Sequence, residues 1–237
     1  HGRRRHPMSR AISPPQRIAA LMRWIYGLFF VSGALGLMYE VLWLRKLLLV
    51  FGSTVHATST VLTVFFGGLA LGSWLFGRLI DRQPSWGLRW YALCEIGIGL
   101  YAFLTVPLFG VIEQVYIPLY RASGFSPGVL VGGAFACSAL MLLIPTTLMG
   151  GTFPLLSRFV IRAAKERGVK IASLYGINTI GAVAGTVFVY YVALQRLGWL
   201  TTLQCAGLLN LLVGIIARIV DRNLQELGLP EVPASAK

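Results

Sequence analysis

The sequence predicts an all-α polytopic membrane protein of about six transmembrane helices. Of its 237 residues, 56% are hydrophobic and only 12% are charged, whereas a soluble domain carries about 25% charged residues. One stretch, residues 54–82, has no Asp, Glu, Lys or Arg between Val55 and Phe76. As a helix this stretch would be about 40 Å long, which is enough to cross a bilayer with some tilt.

Apolar runs and polar breaks divide the chain into three parts: a basic cytoplasmic segment (1–17), a membrane domain (18–220) and a cytoplasmic tail (221–237). The run from Ile18 to Phe51 is too long for one straight crossing. We therefore expect a break near Glu40, with Leu42–Phe51 as an amphipathic segment at the interface. The other helices are predicted at 54–82, 88–112, 128–153, 171–194 and 199–220, with a polar loop or an interfacial segment at 113–127 and a basic loop at 158–170.

Positive charge is concentrated in short loops between the apolar runs. A formal net charge of +13 would favour nucleic acid if the cations lined one face of a soluble domain, but here their distribution argues against a nucleic-acid partner. With the N-terminus in the cytoplasm, 17 of the 21 Lys and Arg residues lie on the cytoplasmic side. By the positive-inside rule both termini are cytoplasmic, and the predicted location is a bacterial inner membrane.

Two small-residue pairs at GxxxG spacing predict close helix packing. They are Gly68 and Gly72 in the second helix, and Gly181 and Gly185 in the fifth. In lipid such faces allow the backbones of neighbouring helices to approach closely. The expected partners are the lipid bilayer and other membrane subunits or further copies of this chain.

Glu95 is the carboxylate that lies deepest in a predicted helix. It falls about two turns into the third helix, and Asn178 of the fifth helix is expected at a similar depth. A Glu95–Asn178 hydrogen bond would form a polar clasp between helices. Because intramembrane acids are costly and often functional, a cation or proton site is the alternative.

Glu40 is the second acidic residue within an apolar run, five residues before Arg45. One interpretation is an ion pair or cap at the expected break in the first helix. The other is a point of access for a cationic solute, with His56, Ser59 and Thr60 at comparable depth.

Asp81 lies between Arg78 and Arg82 at the end of the second helix. It is either part of a charged helix end that fixes orientation, or a latch in the loop between helices two and three. In the latch, Asp81 caps or pairs with a neighbouring helix end, and Gly77 and Arg82 complete the segment.

Motifs of catalysis and cofactor binding are absent from the sequence. It contains no Walker loop, HExxH, GxSxG or strand–GxGxxG–helix unit, each of which has a defined chemical role. Its Cys and His residues have no metal-ligand spacing. We therefore predict no catalytic residue, metal or cofactor, and expect that this chain alone is not an enzyme.

Four ordered blocks of the sequence resemble the membrane domain of spermidine synthase-like membrane proteins. They cover residues 39–82, 93–103, 144–156 and 174–186, and the similarity extends over about residues 25–220. In that family a major-facilitator-like helical domain precedes a cytoplasmic aminopropyltransferase domain of Rossmann type. Separately, Gly77-x-Leu79-x-Asp81-Arg82 is similar to the loop 2–3 signature of major facilitator transporters, with Pro84 where a second Gly is usual.

The resemblance implies a six-helix domain comparable with one half of a major facilitator fold. Three-plus-three internal pseudo-symmetry, in which helices two and five are equivalent, is a hypothesis for this domain. The family's catalytic positions belong to a domain that these residues do not include, so none is assigned. Three functions remain open. They are a non-catalytic subunit that packs into a larger membrane assembly, a transporter or sensor half for polyamines or other organic cations, and the membrane anchor of an aminopropyltransferase.

Overall fold

The computed structural model describes residues 14–163 and 167–226, and all of their regular structure is helical. The predicted all-helical class is therefore confirmed. Five helical runs are long and apolar enough to cross a membrane, the last of them covering Gly168–Gln225. The helices are α1 (Pro14–Phe51), α2 (Val55–Arg82), α3 (Gly87–Ala122), α4 (Pro127–Ala163), α5 (Arg167–Phe188) and α6 (Leu194–Glu226), with a 3₁₀ turn at Pro84–Trp86 and a π-helical segment at Val189–Ala193.

The expected break near Glu40 is wrong, because α1 continues without interruption to Phe51. No Pro or Gly follows Glu40 before the helix ends, and Leu42, Trp43 and Leu47 are fully buried in the core. Because these side chains are buried, the segment remains part of the helix. The chain turns only at Gly52, whose φ of 87° lies in the left-handed region that glycine adopts readily.

The polar loop expected at 113–127 is also largely wrong, since α3 extends to Ala122. Tyr116 is 2% exposed, its ring lies 4.8 Å from that of Phe51, and its hydroxyl donates to the Leu130 carbonyl oxygen at 3.2 Å. Packing against α1 and α4 thus continues the helix beyond its apolar part. Likewise, α4 continues to Ala163, into the segment expected to be a basic loop. The outer parts of the terminal segments, 1–13 and 227–237, lie outside the described residues.

The directions of the helices follow from which residues are opposite each other. Residue numbers rise together along α1 and α5 and along α1 and α3, but in opposite directions along α3 and α6. The pairs are Phe30–Gly181 and Ala34–Gly185 for α1–α5, Phe29–Tyr91 and Phe51–Tyr116 for α1–α3, and Gly99–Gly207 and Ala92–Gly214 for α3–α6. Helices α5 and α6 therefore run in opposite directions, although their apolar run is continuous.

The chain reverses direction at Gly198, within the range of α6, so that the long part of α6 after this residue runs opposite to α5. This residue has φ 73° and ψ 178°, a non-helical conformation between two helical stretches. A positive φ of this kind is readily adopted by glycine and is costly for residues with a Cβ. Next to it, the Trp199 indole N–H donates to the Leu42 carbonyl oxygen at 2.9 Å, which fixes the part of α6 that follows Gly198 against α1.

The main packing pairs are α2 with α4, α1 with α5, and α3 with α6. If α1, α2 and α3 are exchanged with α4, α5 and α6, respectively, the packed pair of α2 with α4 becomes the pair of α5 with α1. The pair of α3 with α6 is unchanged by this exchange. Helices two and five thus have equivalent main partners under this exchange, and three-plus-three symmetry of the fold stays a prediction.

Glycines lie where these helices approach most closely. A Cβ on Gly68 or Gly72 would overlap Thr146 or Thr147 of α4, and one on Gly181 or Gly185 would overlap the α1 backbone. By contrast, the exposed Gly67 has no atom within 4 Å of the place where a Cβ would lie. The helix backbones can approach this closely only because Gly68, Gly72, Gly181 and Gly185 have no side chain.

We predict that Gly72→Ala lowers the free energy of unfolding by about 1–3 kcal/mol, because the added methyl group forces α2 and α4 apart. The matched control is Gly67→Ala, one turn away, which should be neutral or stabilising by up to about 1 kcal/mol through helix propensity. Unfolding of the purified protein in detergent measures both effects. Equal stabilities for the two variants would contradict the close α2–α4 packing.

Candidate functional site: the buried Glu95 cluster

Glu95 lies on α3 where this helix contacts both α1 and α6, and its side chain is completely buried. Ser32 of α1 donates from its hydroxyl to Oε1 at 2.5 Å. Asn210 of α6 donates from Nδ2 to Oε2 at 2.5 Å and to the Glu95 carbonyl oxygen at 3.0 Å. Each carboxylate oxygen therefore has a donor from a different helix, and the cluster ties α1, α3 and α6 together.

Small residues on α3 and α6 allow this contact. A Cβ on Gly99 would lie 2.8 Å from the Gly207 carbonyl oxygen, and one on Gly214 would lie 2.8 Å from the Ala92 carbonyl oxygen. The two backbones are thus close on either side of Glu95, so that the short side chain of Asn210 reaches the carboxylate.

Two tyrosine hydroxyls complete the surroundings of Glu95. Tyr91, one turn earlier on α3, and Tyr39 of α1 are both fully buried, and their hydroxyls have no hydrogen-bond partner in the described part of the chain. Both lie close enough to Glu95 to interact with it electrostatically. These neighbours can all donate hydrogen bonds, and no described cation pairs with Glu95. The cluster therefore supplies hydrogen-bond donors to the Glu95 carboxylate, which is shielded from both water and lipid.

The predicted hydrogen bond between Glu95 and Asn178 is wrong. Asn178 lies on α5 against Gly33 of α1, where its backbone and side-chain oxygens occupy the space of a missing Cβ. Asn210 makes the contact instead, because α6 packs against α3 whereas α5 packs against α1. Sequence reasoning missed Asn210, although it is an isolated amide in the apolar run LLNLL.

Glu40 is in a different position from the one expected. It is half-buried on the continuous α1, and no hydrogen bond or ion pair involves it in the described ranges. The expected pair with Arg45 is absent, and the next residue, Lys46, pairs with Glu113 at 3.2 Å. His56 lines a separate cavity of only about 10 Å³ at the start of α2, about the space of one water molecule.

Asp81 forms an ion pair with Arg158 of α4, five residues before that helix ends. Its Oδ1 lies 3.1 Å from Nη2 of Arg158; the Asp81 side chain is largely exposed, and that of Arg158 is partly exposed. An exposed pair of this kind contributes only about 0–1 kcal/mol. Gly77 has open space around it, and Arg82 is exposed. Any role of this segment as a latch stays a prediction.

Comparison with known proteins finds a distant relative. The chain is 29% identical over 192 residues to Polyamine aminopropyltransferase 2 of Streptomyces coelicolor. The aligned part is 78% of this chain and 32% of the relative, so the chain spans about a third of that protein's length. No family model matches the chain, and no solved structure matches it.

A double-mutant cycle tests the Glu95 cluster. We expect Asn210→Ala to lower the free energy of unfolding by about 1–3 kcal/mol, because it leaves a buried carboxylate oxygen without a donor. In the Glu95→Met background, Asn210→Ala should lower the free energy of unfolding by at least about 1 kcal/mol less than it does in the wild-type protein.

The control for this cycle is Asn178→Ala, measured with and without Glu95→Met. Its effect should be additive with that of Glu95→Met within about 0.5 kcal/mol, because the two side chains do not interact. Stronger coupling of Glu95 to Asn178 than to Asn210 would reverse the assignment.

Proposed function

We propose that this chain is a non-catalytic integral membrane module that packs into a larger assembly containing a polyamine aminopropyltransferase. The observation that carries the proposal is which share of each protein is covered by the similarity. It covers 78% of a helical chain that has five membrane-length runs, but only 32% of a relative named as an enzyme. A membrane module combined with a separate catalytic part accounts for both values.

The geometry of Glu95 supports a structural role for the deepest carboxylate. A substrate or exchangeable cation must reach its site, but Glu95 is 0% exposed and both of its oxygens already accept hydrogen bonds. Between the two interpretations of this residue, the sealed cluster favours the clasp. The module then contributes position and packing, and aminopropyl transfer takes place elsewhere in the assembly.

The proposed topology has six crossings with both termini in the cytoplasm of a bacterial inner membrane. It is supported by the reversal at Gly198, which divides the last apolar run into two helices of opposite direction. The proposed sidedness also places 17 of the 21 Lys and Arg residues in the cytoplasm, as the positive-inside rule requires.

Reporter fusions test this topology. A fluorescent protein that folds only in the cytoplasm should fluoresce when fused after Gln83 or Gln225, and alkaline phosphatase should be active when fused after Gly124 or Arg196. The fusions after Arg196 and Gln225 distinguish six crossings from five, because a single last crossing would leave Arg196 within the membrane. Phosphatase activity after Gln225 would contradict the proposal.

Native purification tests the proposed function. The tagged chain, extracted in mild detergent, should bring down a stoichiometric partner that mass spectrometry identifies as an aminopropyltransferase. Aminopropyl transfer to a diamine should then require the partner and be absent from the folded chain alone. Transfer by the isolated chain would refute its non-catalytic role, and a stable assembly without an aminopropyltransferase would refute the link to polyamine chemistry.

A further inference from the structure

We infer that a groove between α2 and α4 binds an anionic phospholipid, with one acyl chain in the groove and the phosphate group at Arg78 and Arg82. The inference does not depend on the proposed function. It arises from three features at one end of α2: an open apolar groove, two arginines at the depth of the lipid headgroups, and a tryptophan that positions one of these arginines.

The groove has a volume of about 490 Å³ and is open to its surroundings. Six of the seven residues that line it are apolar, and two of them, Leu75 and Ile144, are 42% and 58% exposed. The apolar walls are Leu75, Phe76 and Leu79 of α2 and Leu143, Ile144 and Leu148 of α4. The groove therefore presents an apolar lining to the surrounding lipid.

The path of α4 across α2 produces this groove. The contacts with α4 pass along α2 from Gly68 to Gly72 and then to Phe76. Each step of four residues turns the line of contact by about 40° around the axis of α2. Towards the end of α2 this line has therefore moved off the face that carries Leu75 and Leu79, which leaves a gap between the two helices.

Depth in the membrane matches the parts of this site to the parts of a lipid. The membrane-length run of α2 is Val55–Arg82, so at the usual rise per residue Leu75 lies about 10 Å and Arg82 about 20 Å from its midpoint. Half of the hydrocarbon core of a bilayer is about 15 Å thick. Leu75 therefore lies at the level of the acyl chains, whereas Arg82 lies at the level of the headgroups.

Arg82 continues the face of α2 that lines the groove. Leu75, Leu79 and Arg82 are spaced by four and three residues, the spacing that keeps side chains on one face of a helix. One turn before Arg82, the Arg78 guanidinium lies 4.1 Å from the centre of the Trp74 ring, a cation–π contact that positions it. Both arginines are exposed, and neither forms an ion pair with the described residues. Their guanidinium groups are therefore accessible to a ligand.

The chemistry of these parts determines the class of ligand. Arginine binds phosphate oxygens through paired N–H donors, and basic residues at the end of a membrane-spanning helix attract anionic lipids. Asp81, the acid between the two arginines, pairs with Arg158 of α4 instead. An apolar groove that ends at two guanidinium groups matches a phospholipid with a net negative charge, because a free phosphate ion would leave the groove unfilled.

The size of the groove favours an acyl chain over a helix from another protein chain. Two turns of a helix about 10 Å in diameter occupy roughly 800 Å³, which is more than the groove volume of about 490 Å³. A flexible chain of methylene groups fits a narrower space, and it leaves the two arginines accessible to its own headgroup. We therefore assign the groove to a lipid.

Native mass spectrometry of the full chain, delipidated in detergent and titrated with phosphatidylglycerol, tests the inference. We expect saturable binding of one phosphatidylglycerol that is tighter than that of phosphatidylcholine with the same acyl chains, and that glycerol phosphate does not displace. The Arg78→Gln/Arg82→Gln variant should weaken it at least about tenfold, since hydrogen bonds between charged groups are lost. A phosphatidylglycerol with a photoreactive acyl chain should label residues 75–79 and 143–148.

The matched control is Arg23→Gln/Arg222→Gln, which removes two exposed arginines from the same end of the bundle and should leave the binding unchanged. Thermal unfolding and gel filtration verify the fold of each variant. If the first variant is unstable, Arg78→Lys/Arg82→Lys replaces it, and it should bind more weakly than the wild-type protein because lysine lacks the paired donors.

Full binding by the folded Arg78→Gln/Arg82→Gln variant, or an equal loss in the control, would overturn the inference. Equal affinity for the two lipids, or photolabelling only outside the groove, would do the same. A second copy of the chain in the groove would appear as a dimer on gel filtration without photolabelling of residues 75–79, which also contradicts a lipid site.

Discussion

Helices in a bilayer gain little from the hydrophobic effect when they associate, so close backbone contact and buried hydrogen bonds must hold them together. In this protein the two combine at the α3–α6 crossing. Asn210 donates to the side chain and to the backbone of Glu95, and Ser32 ties the same carboxylate to α1. The central crossing thus fixes three helices through one buried carboxylate.

The two outer pairs, α2–α4 and α1–α5, are built differently from this centre. Their contacts depend on glycines that bring backbone against backbone or against a short side chain, with little polar chemistry. The ion pair between α2 and α4, Asp81 with Arg158, lies near the end of α2 and not at the glycine contacts. The buried carboxylate of Glu95, by contrast, is part of the central contact between helices, which suits it to a structural role.

Much of the fold could be predicted from the sequence because apolar length and glycine spacing are local signals. The predicted break near Glu40 and the polar loop after Ile112 failed for one reason: burial of Trp43 and Tyr116 by other helices overrides the local polarity. The prediction of the hydrogen-bond partner of Glu95 failed for another reason. Depth along a helix can be read from the sequence, but the choice between Asn178 and Asn210 depends on which helices are neighbours.

The left-handed backbone conformation of Gly198 affects the number of membrane crossings. Counted as continuous helical runs, α5 and α6 form a single span and the number of crossings is odd, which would put the two termini in different compartments. In the proposed topology this single glycine makes the number even. It thereby decides which compartment receives any polypeptide that is joined to the end of α6, and so which substrates that polypeptide can meet.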